Sequence, residues 1–307
     1  MYLRNIIVTG GAGFIGSHLV EALCCDRGHQ VTIIDNLRRG RLSNLEACRD
    51  RVSFIQGDIR DRNLLASAMR GIDVVYHLAA QSNVLGAVAD LDYSFTTNVA
   101  GTLEVLQAAV QAGVRRVVFT SSREVYGDAA TLPVKETSAL LPKNAYGASK
   151  AAAEMYCNAL SGSELGVTIL RLANVYGSRD FDRVIPIFLS QALQDLPLTI
   201  FGGDQVIDFV PVESVVEALI KAGNSDPSSP INVGTGLATT VRSLAQRIIA
   251  DTRSSSEVHL EPARDVEVSR FVASTDKMKS TLGIEPPDDP LCKLDDLIEW
   301  TARRRTA

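Results

Sequence analysis

Two stretches of this 307-residue chain hold residue types whose spacing can do chemistry. One is Asn144-Ala145-Tyr146-Gly147-Ala148-Ser149-Lys150. On a helix, positions four apart share a face, so Tyr146 and Lys150 point the same way. A phenol with a reference pKa near ~10 becomes a usable base when a neighbouring ammonium favours its phenolate. Alone, such a pair is more often a surface pair. The other stretch is Ile6 to Asp35, in which a β-branched run ends at a glycine-rich turn, TGGAGFIG, and a second such run ends on Asp35.

The elements that must position these residues follow from the apolar pattern. Ile6 to Val8 reads as a strand, Phe14 opens a helix, and Val31 to Ile34 is the next strand. Gly10 permits the tight turn, Gly13 brings the backbone close to a pyrophosphate, and Gly16 lets helix and strand pack. The phosphates would sit on the helix N-terminus. Asp35 is placed to accept hydrogen bonds from the adenosine ribose, which favours NAD over NADP. Arg38 and Arg39 run against that preference, since arginines there can take a 2′-phosphate, although loop arginines are more often solvated. Beside this fingerprint and Ser121-Ser122 at a strand end, Tyr146 and Lys150 become the expected proton-transfer apparatus of a hydride-transfer enzyme.

Further along, strands are expected at Val52 to Ile55, Asp73 to His77, Arg116 to Ser121 and Val167 to Leu172. Helices are expected at Asp61 to Arg70, Tyr93 to Ala112 and Tyr146 to Leu160. The strands are apolar throughout, so the pattern predicts an α/β fold with a doubly wound parallel sheet covered on both faces. Ligands on such sheets bind at the carboxyl ends of the strands. After Ala173, short pieces punctuated by Pro and Gly predict a smaller mixed lobe. The expected division is a dinucleotide domain at 1–173, rejoined by 208–233, and a second lobe of 174–207 and 234–307.

Composition narrows the classes. The chain is 46% hydrophobic, ample for a buried core, and its net charge of −5 argues against a nucleic-acid surface. Arg303 to Arg305 is too short a basic run to alter that. Five cysteines, Cys24, Cys25, Cys48, Cys157 and Cys292, have no metal-like spacing, and no cluster of His, Cys and acids supports a metal. Met1 stands close to a core strand, leaving no room for a signal peptide, and no apolar run is long enough to span a membrane; a cytoplasmic location is expected. His77, ending a buried strand, is expected to be a satisfied core histidine.

The motifs together resemble the extended short-chain dehydrogenase/reductase family, on the side of its NAD-dependent nucleotide-sugar epimerases and dehydratases. TGGAGFIG, Asp35, GDI at Gly57 to Ile59, HLAAQ at His77 to Gln81, NVAGT at Asn98 to Thr102, SSREVYG at Ser121 to Gly127, YGASK at Tyr146 to Lys150 and RLANVYG at Arg171 to Gly177 carry the likeness. It spans nearly the whole chain. The resemblance implies a Rossmann fold whose cofactor contacts are Gly10, Gly13, Phe14, Ile15, Gly16, Asp35, Asn36, Asp58, Ile59, Leu78, Ala79, Ala80, Gln81 and Asn98. Tyr146 is implied as the base, and Lys150 binds the nicotinamide ribose and lowers the tyrosine pKa. Ser121 and Ser122 would hold the reacting sugar hydroxyl. Val84, Arg123, Asn174, Phe201 and Arg264 would face a UDP- or dTDP-hexose. Pairing of the two long helices with those of a second copy implies a homodimer.

The shared first step in that family removes the C4 hydroxyl proton and gives a 4-keto sugar. Epimerisation at C4 needs no further group and is the leading expectation. Dehydration or decarboxylation, using Glu124, is the alternative. Arg123 stands where many 4,6-dehydratases carry an acidic Asp, and a guanidinium cannot donate a proton at neutral pH. A third possibility, a non-catalytic NAD sensor on the same fold, runs against the intact Tyr146, Lys150 and Ser121. Ile207 where relatives carry Arg, and a sugar-facing loop Val84 to Ala87 without Arg or Ser, leave the sugar open.

Overall fold

A computed structural model describes residues 4–25, 28–226 and 230–306. Met1 and the side chain of Arg305, both used above, lie outside what is described. The chain runs β1 (Arg4–Thr9), α1 (Phe14–Cys25), β2 (His29–Asp35), β3 (Val52–Gln56), α2 (Arg62–Ala68), β4 (Val74–His77), α3 (Val84–Ala89), α4 (Leu91–Phe95), α5 (Thr102–Ala112), β5 (Arg116–Ser122), α6 (Ala145–Leu160) and β6 (Gly166–Leu172). It continues β7 (Asn174–Tyr176), α7 (Val184–Ala192), β8 (Leu198–Phe201), β9 (Val206–Ile207), β10 (Phe209–Pro211), α8 (Val212–Asn224), β11 (Ile231–Val233), β12 (Thr239–Thr240), α9 (Val241–Thr252), β13 (Val258–Glu261) and α10 (Leu294–Thr306).

Seven strands form one parallel sheet in the order β11-β6-β5-β4-β1-β2-β3. Successive residues of a strand face opposite ways. Ile6 and Val8 therefore enter the apolar layer shared with α1 and α8, while Ile7 enters the layer shared with α2, α5 and α6. With both faces covered, most strand positions are apolar, which is why the runs show little alternation. The sheet order reverses between β1 and β4, opening a crevice at their carboxyl ends. The remaining strands pair outside this sheet, β7 with β10, β8 with β13, and β9 with β12, around a third apolar cluster built by α7, α9 and α10.

Three local departures from the expected elements have physical reasons. The supposed loop Val84 to Ala87 is helix α3, because Asn83 caps it by accepting the Gly86 amide at 2.5 Å. Leu42–Arg51, for which no element was expected, is a 3-10 segment. The long helix starts at Leu91, capped by Asp90, and carries a π segment over Thr96–Gly101. That widened turn carries Asn98 inward, so its amide bridges the β4 loop and α6.

Candidate active site

A cavity of about 1240 Å³ occupies the crevice and is lined from both the sheet and the pieces beyond it. This exceeds the roughly 300–1,000 Å³ of ordinary small-ligand pockets and suits a dinucleotide together with a second ligand. Gly10, Gly13, Phe14, Ile15 and Gly16 form its floor. Gly10 has φ of 72° and lies so near the next strand end that a Cβ there would sit 2.8 Å from the Ala79 amide nitrogen. A Cβ on Gly16 would overlap the Gly10 carbonyl. The turn therefore packs flush, leaving the first-turn amides of α1 to face an anion.

Asp35 is buried and accepts the Ala12 amide at 3.0 Å and the Leu37 amide at 2.8 Å. Each carboxylate oxygen retains a lone pair for a ribose hydroxyl. Burial raises its pKa against those two hydrogen bonds. The arginines that complicated the cofactor preference are engaged elsewhere. Arg38 stacks 3.8 Å over Tyr93 and pairs with Asp90 at 3.9 Å, while Arg39 pairs with Asp182 at 2.6 Å. Glycine cradle, acidic β2 end and committed arginines fit NAD.

Most of the other expected cofactor residues, Asn36, Ile59, Leu78, Ala79, Ala80 and Gln81, line the same cavity. Two do not. Asp58 is held by Arg60 at 2.8 Å and by Asn36 at 3.0 Å, which together keep its pKa near 2. Asn98 donates to the Gln81 carbonyl at 3.0 Å and to Ser149 at 2.9 Å. Both shape the wall from behind.

At the centre, Tyr146, Lys150, Ser122, Arg123 and Glu124 meet. Asn144 starts α6 by accepting the Gly147 amide at 2.9 Å, and this fixes the turn on which Tyr146 stands. Lys150 is buried and donates to the Thr120 carbonyl at 2.8 Å; burial depresses its pKa to about 8. The expected lowering of the tyrosine by this lysine is not found. Burial pushes the Tyr146 phenol up to about 12, the Arg183 charge opposing it most, with a hydrogen bond to Ser122 also acting downward.

The two serines separate. Ser121, expected beside the sugar hydroxyl, instead donates to Glu154 at 2.5 Å, and Glu154 is wholly buried in a forked pair with Arg171 at 2.6 Å. Ser121 still lines the cavity beside Ser122, but its hydroxyl proton is spent on Glu154. Glu124 is also committed: Arg123 lies 2.9 Å from one carboxylate oxygen and Asn144 donates to the other at 2.7 Å. Glu154 lies one helical turn beyond Lys150 on the same face, so the i, i+4 spacing that picked out Tyr146 and Lys150 could have found it.

At the far end, Arg264 stacks 3.7 Å over Phe201 and pairs with Glu267 at 3.2 Å, while Asn174 and Val84 complete the lining. Among the described residues, no group of three or more His, Cys, Asp or Glu could hold a metal ion. None of their helices is long and apolar enough to cross a membrane.

A glycine-floored crevice at the switch point of a parallel sheet, with a tyrosine and lysine on one helix face beside it, defines a Rossmann-type nucleotide-dependent enzyme. The family model described as the NAD dependent epimerase/dehydratase family matches residues 6–234, and the chain belongs to that family, with NAD as its cofactor. A UDP-glucose 4-epimerase from Mycolicibacterium smegmatis is 36% identical over 291 residues, covering 91% of this chain and 93% of that protein. A UDP-glucose 4-epimerase from Thermotoga maritima, solved with UDP-glucose, superposes with a TM-score of 0.93 at 33% identity, covering 99% of this chain and 100% of that one. A dTDP-glucose 4,6-dehydratase from Streptomyces venezuelae, solved with NAD, also gives 0.93 at 32% identity, with 98% of each chain covered.

Proposed function

We propose that this chain is an NAD-dependent 4-epimerase of a UDP- or dTDP-hexose. The observation that carries the reading is the lock on Glu124, whose two carboxylate oxygens are taken by Arg123 and Asn144. Those two charge-assisted bonds fix the orientation of the carboxylate, and a C5 base must instead be aimed at the sugar, whereas epimerisation needs no such base. When bound, NAD would supply the hydride acceptor at C4. Tyr146 takes and gives back the C4 hydroxyl proton, Ser122 holds that hydroxyl, and Lys150 is anchored where it reaches the nicotinamide ribose. Phe201 and Arg264 frame the nucleobase and diphosphate, and Asn174 contacts the diphosphate from β7.

The second reading, dehydration or decarboxylation, draws on the same carboxylate. Glu124 lines the same cavity as Tyr146 and Ser122. Proton NMR of the enzyme with NAD and UDP-, dTDP- and GDP-hexoses in deuterated water tests both. Interconversion of axial and equatorial H4 with no deuterium at C5 is expected. Deuterium at C5, or loss of the C6 hydroxyl, would transfer the later chemistry to Glu124.

The lobe division belongs to the same proposal, with 1–173 and 208–233 holding NAD while 174–207 and 234–307 hold the sugar nucleotide. So does a homodimer. Val88, Leu91, Phe95, Met155 and Tyr156, on α3, α4 and α6, are all exposed, the largest at 60%. Contiguous apolar side chains on neighbouring helices fit burial against a second copy. Sedimentation giving only the monomer mass would remove it.

A further inference from the structure

The segment 178–183 runs from β7 to α7 across the cavity and is held at both walls. At one wall His18 Nε2 donates to the Ser178 carbonyl at 3.0 Å. Arg179 donates to Ser17 Oγ at 3.1 Å and pairs with Glu21 at 2.6 Å. All three partners lie on α1, whose first turn is the phosphate site. Arg179 has φ of 69°, a left-handed conformation uncommon for a residue with a Cβ, and its two side-chain bonds hold it there.

At the other wall Asp182 accepts from Arg39 at 2.6 Å and from Asn83 Nδ2 at 3.4 Å, and the Arg41 guanidinium lies 4.5 Å over the Phe181 ring. Arg39 and Arg41 belong to the loop after β2, which carries the adenosine-facing Asp35 and Asn36. Residues 179 to 183 all line the cavity. The segment thus spans the crevice from the pyrophosphate wall to the ribose wall. Its anchorages are unequal. The side chains of Arg179 and Glu21 are 18% and 27% exposed, those of Arg39 and Asp182 41% and 43%. The more exposed pair is the weaker and the end that opens first.

We propose that 178–183 is a strap closed over the dinucleotide, that the Arg39–Asp182 pair is its latch, and that filling the sugar site tightens it. The last part rests on the nucleotide-sugar reading, since the strap is continuous with the strand bearing Asn174. An enzyme that returns the same hydride gains from a cofactor that stays through the turnover, and a strap supplies this without touching the reacting atoms.

The experiment uses enzyme stripped and reloaded with NADH, whose fluorescence reports binding, with excess NAD as the displacing ligand in stopped flow. Arg39→Ala and Asp182→Asn are each expected to raise the release rate and the association rate together, by roughly fivefold, the ceiling for an exposed ion pair. Arg39→Asp combined with Asp182→Arg restores both rates. Salt accelerates release from the wild type and leaves the single variants unmoved. Release at the wild-type rate in both single variants overturns the latch. Faster release with unchanged association also overturns it, since Arg39 would then be a direct cofactor contact. Saturating UDP or dTDP is expected to slow release from the wild type only, and no slowing overturns the coupling. Calorimetric titration of the same nucleotides separates the causes: heat without slowing defeats the coupling alone, and no heat defeats the nucleotide-sugar reading with it.

Discussion

The end of the cavity proposed for the cofactor and the end proposed for the substrate are built from different materials. The cofactor end is backbone: a glycine turn flush against the β4 end, the first turn of α1, and a carboxylate fixed by the Ala12 and Leu37 amides. The other end is side chains, with partners drawn from distant segments, as in Arg264 over Phe201, or from nearby ones, as in Glu124 between Arg123 and Asn144. A backbone site depends on a few residue types that permit one geometry, so one family can keep it while its reactions differ. A side-chain site changes with single substitutions. The difference places the cofactor in the fold and the reaction outcome in a handful of side chains.

The sharpest test of that division removes a group at each end. Tyr146→Phe is expected to lower turnover by about 10²–10⁴-fold, the range for a lost general acid–base, with NADH fluorescence showing that the cofactor remains. Gly16→Ala is expected to do the reverse at its source, because the new Cβ meets the Gly10 carbonyl. Cofactor retention through gel filtration should be lost, and activity with it. If Gly16→Ala kept NAD while Tyr146→Phe lost it, the two ends would not be separable.

This division also decides what was legible in the sequence. The glycine turn, Asp35 and the Tyr146-Lys150 face are local, each contained in one strand, turn or helix, and the parallel sheet follows from apolar runs. The network under the site is not local. Glu154 reaches Arg171 from α6 to β6, and Arg39 meets Asp182 across 143 residues of sequence. No periodicity announces a partner on another element.

Next in size is the support beneath the centre. Glu154 is wholly buried and Arg171 nearly so, and Glu154 also receives Ser121. Removing one member of a buried pair leaves an uncompensated charge and costs about 3–5 kcal/mol. Glu154→Gln should lower the thermal midpoint by several degrees, measured by calorimetry, and Arg171→Met added to it should recover part of that loss. A single variant as stable as the wild type would show that this network is not what holds β5, β6 and α6 together. Glu124→Gln is expected to be milder, leaving epimerisation within about tenfold, because the amide oxygen can still accept from one of Arg123 and Asn144 and epimerisation does not use the carboxylate. A loss as large as that of Tyr146→Phe would make Glu124 part of the chemistry.

The smallest effect concerns His77, at the carboxyl terminus of β4. Its Nδ1 lies 2.7 Å from Thr9 Oγ1 and its Nε2 3.0 Å from Thr102 Oγ1. Thr102 spends its proton on the Asn98 carbonyl at 2.7 Å, so Nε2 carries the hydrogen and Nδ1 accepts from Thr9. The ring is held neutral: burial, aided by the Lys150 charge, lowers its pKa from 6.5 to about 3. Between those values the unfolded chain binds a proton that the folded chain does not. Stability from this residue is therefore complete above about pH 6.5 and is lost as the pH falls toward 3. The midpoint for thermal unfolding should decline on that acid limb, and His77→Asn, which keeps a donor and an acceptor but cannot titrate, should flatten it at the cost of a lower midpoint at neutral pH. An unaltered acid limb in the variant would mean that the proton is taken up elsewhere, and that His77 serves only as the hydrogen-bonded link from β1 to the helix bearing Asn98.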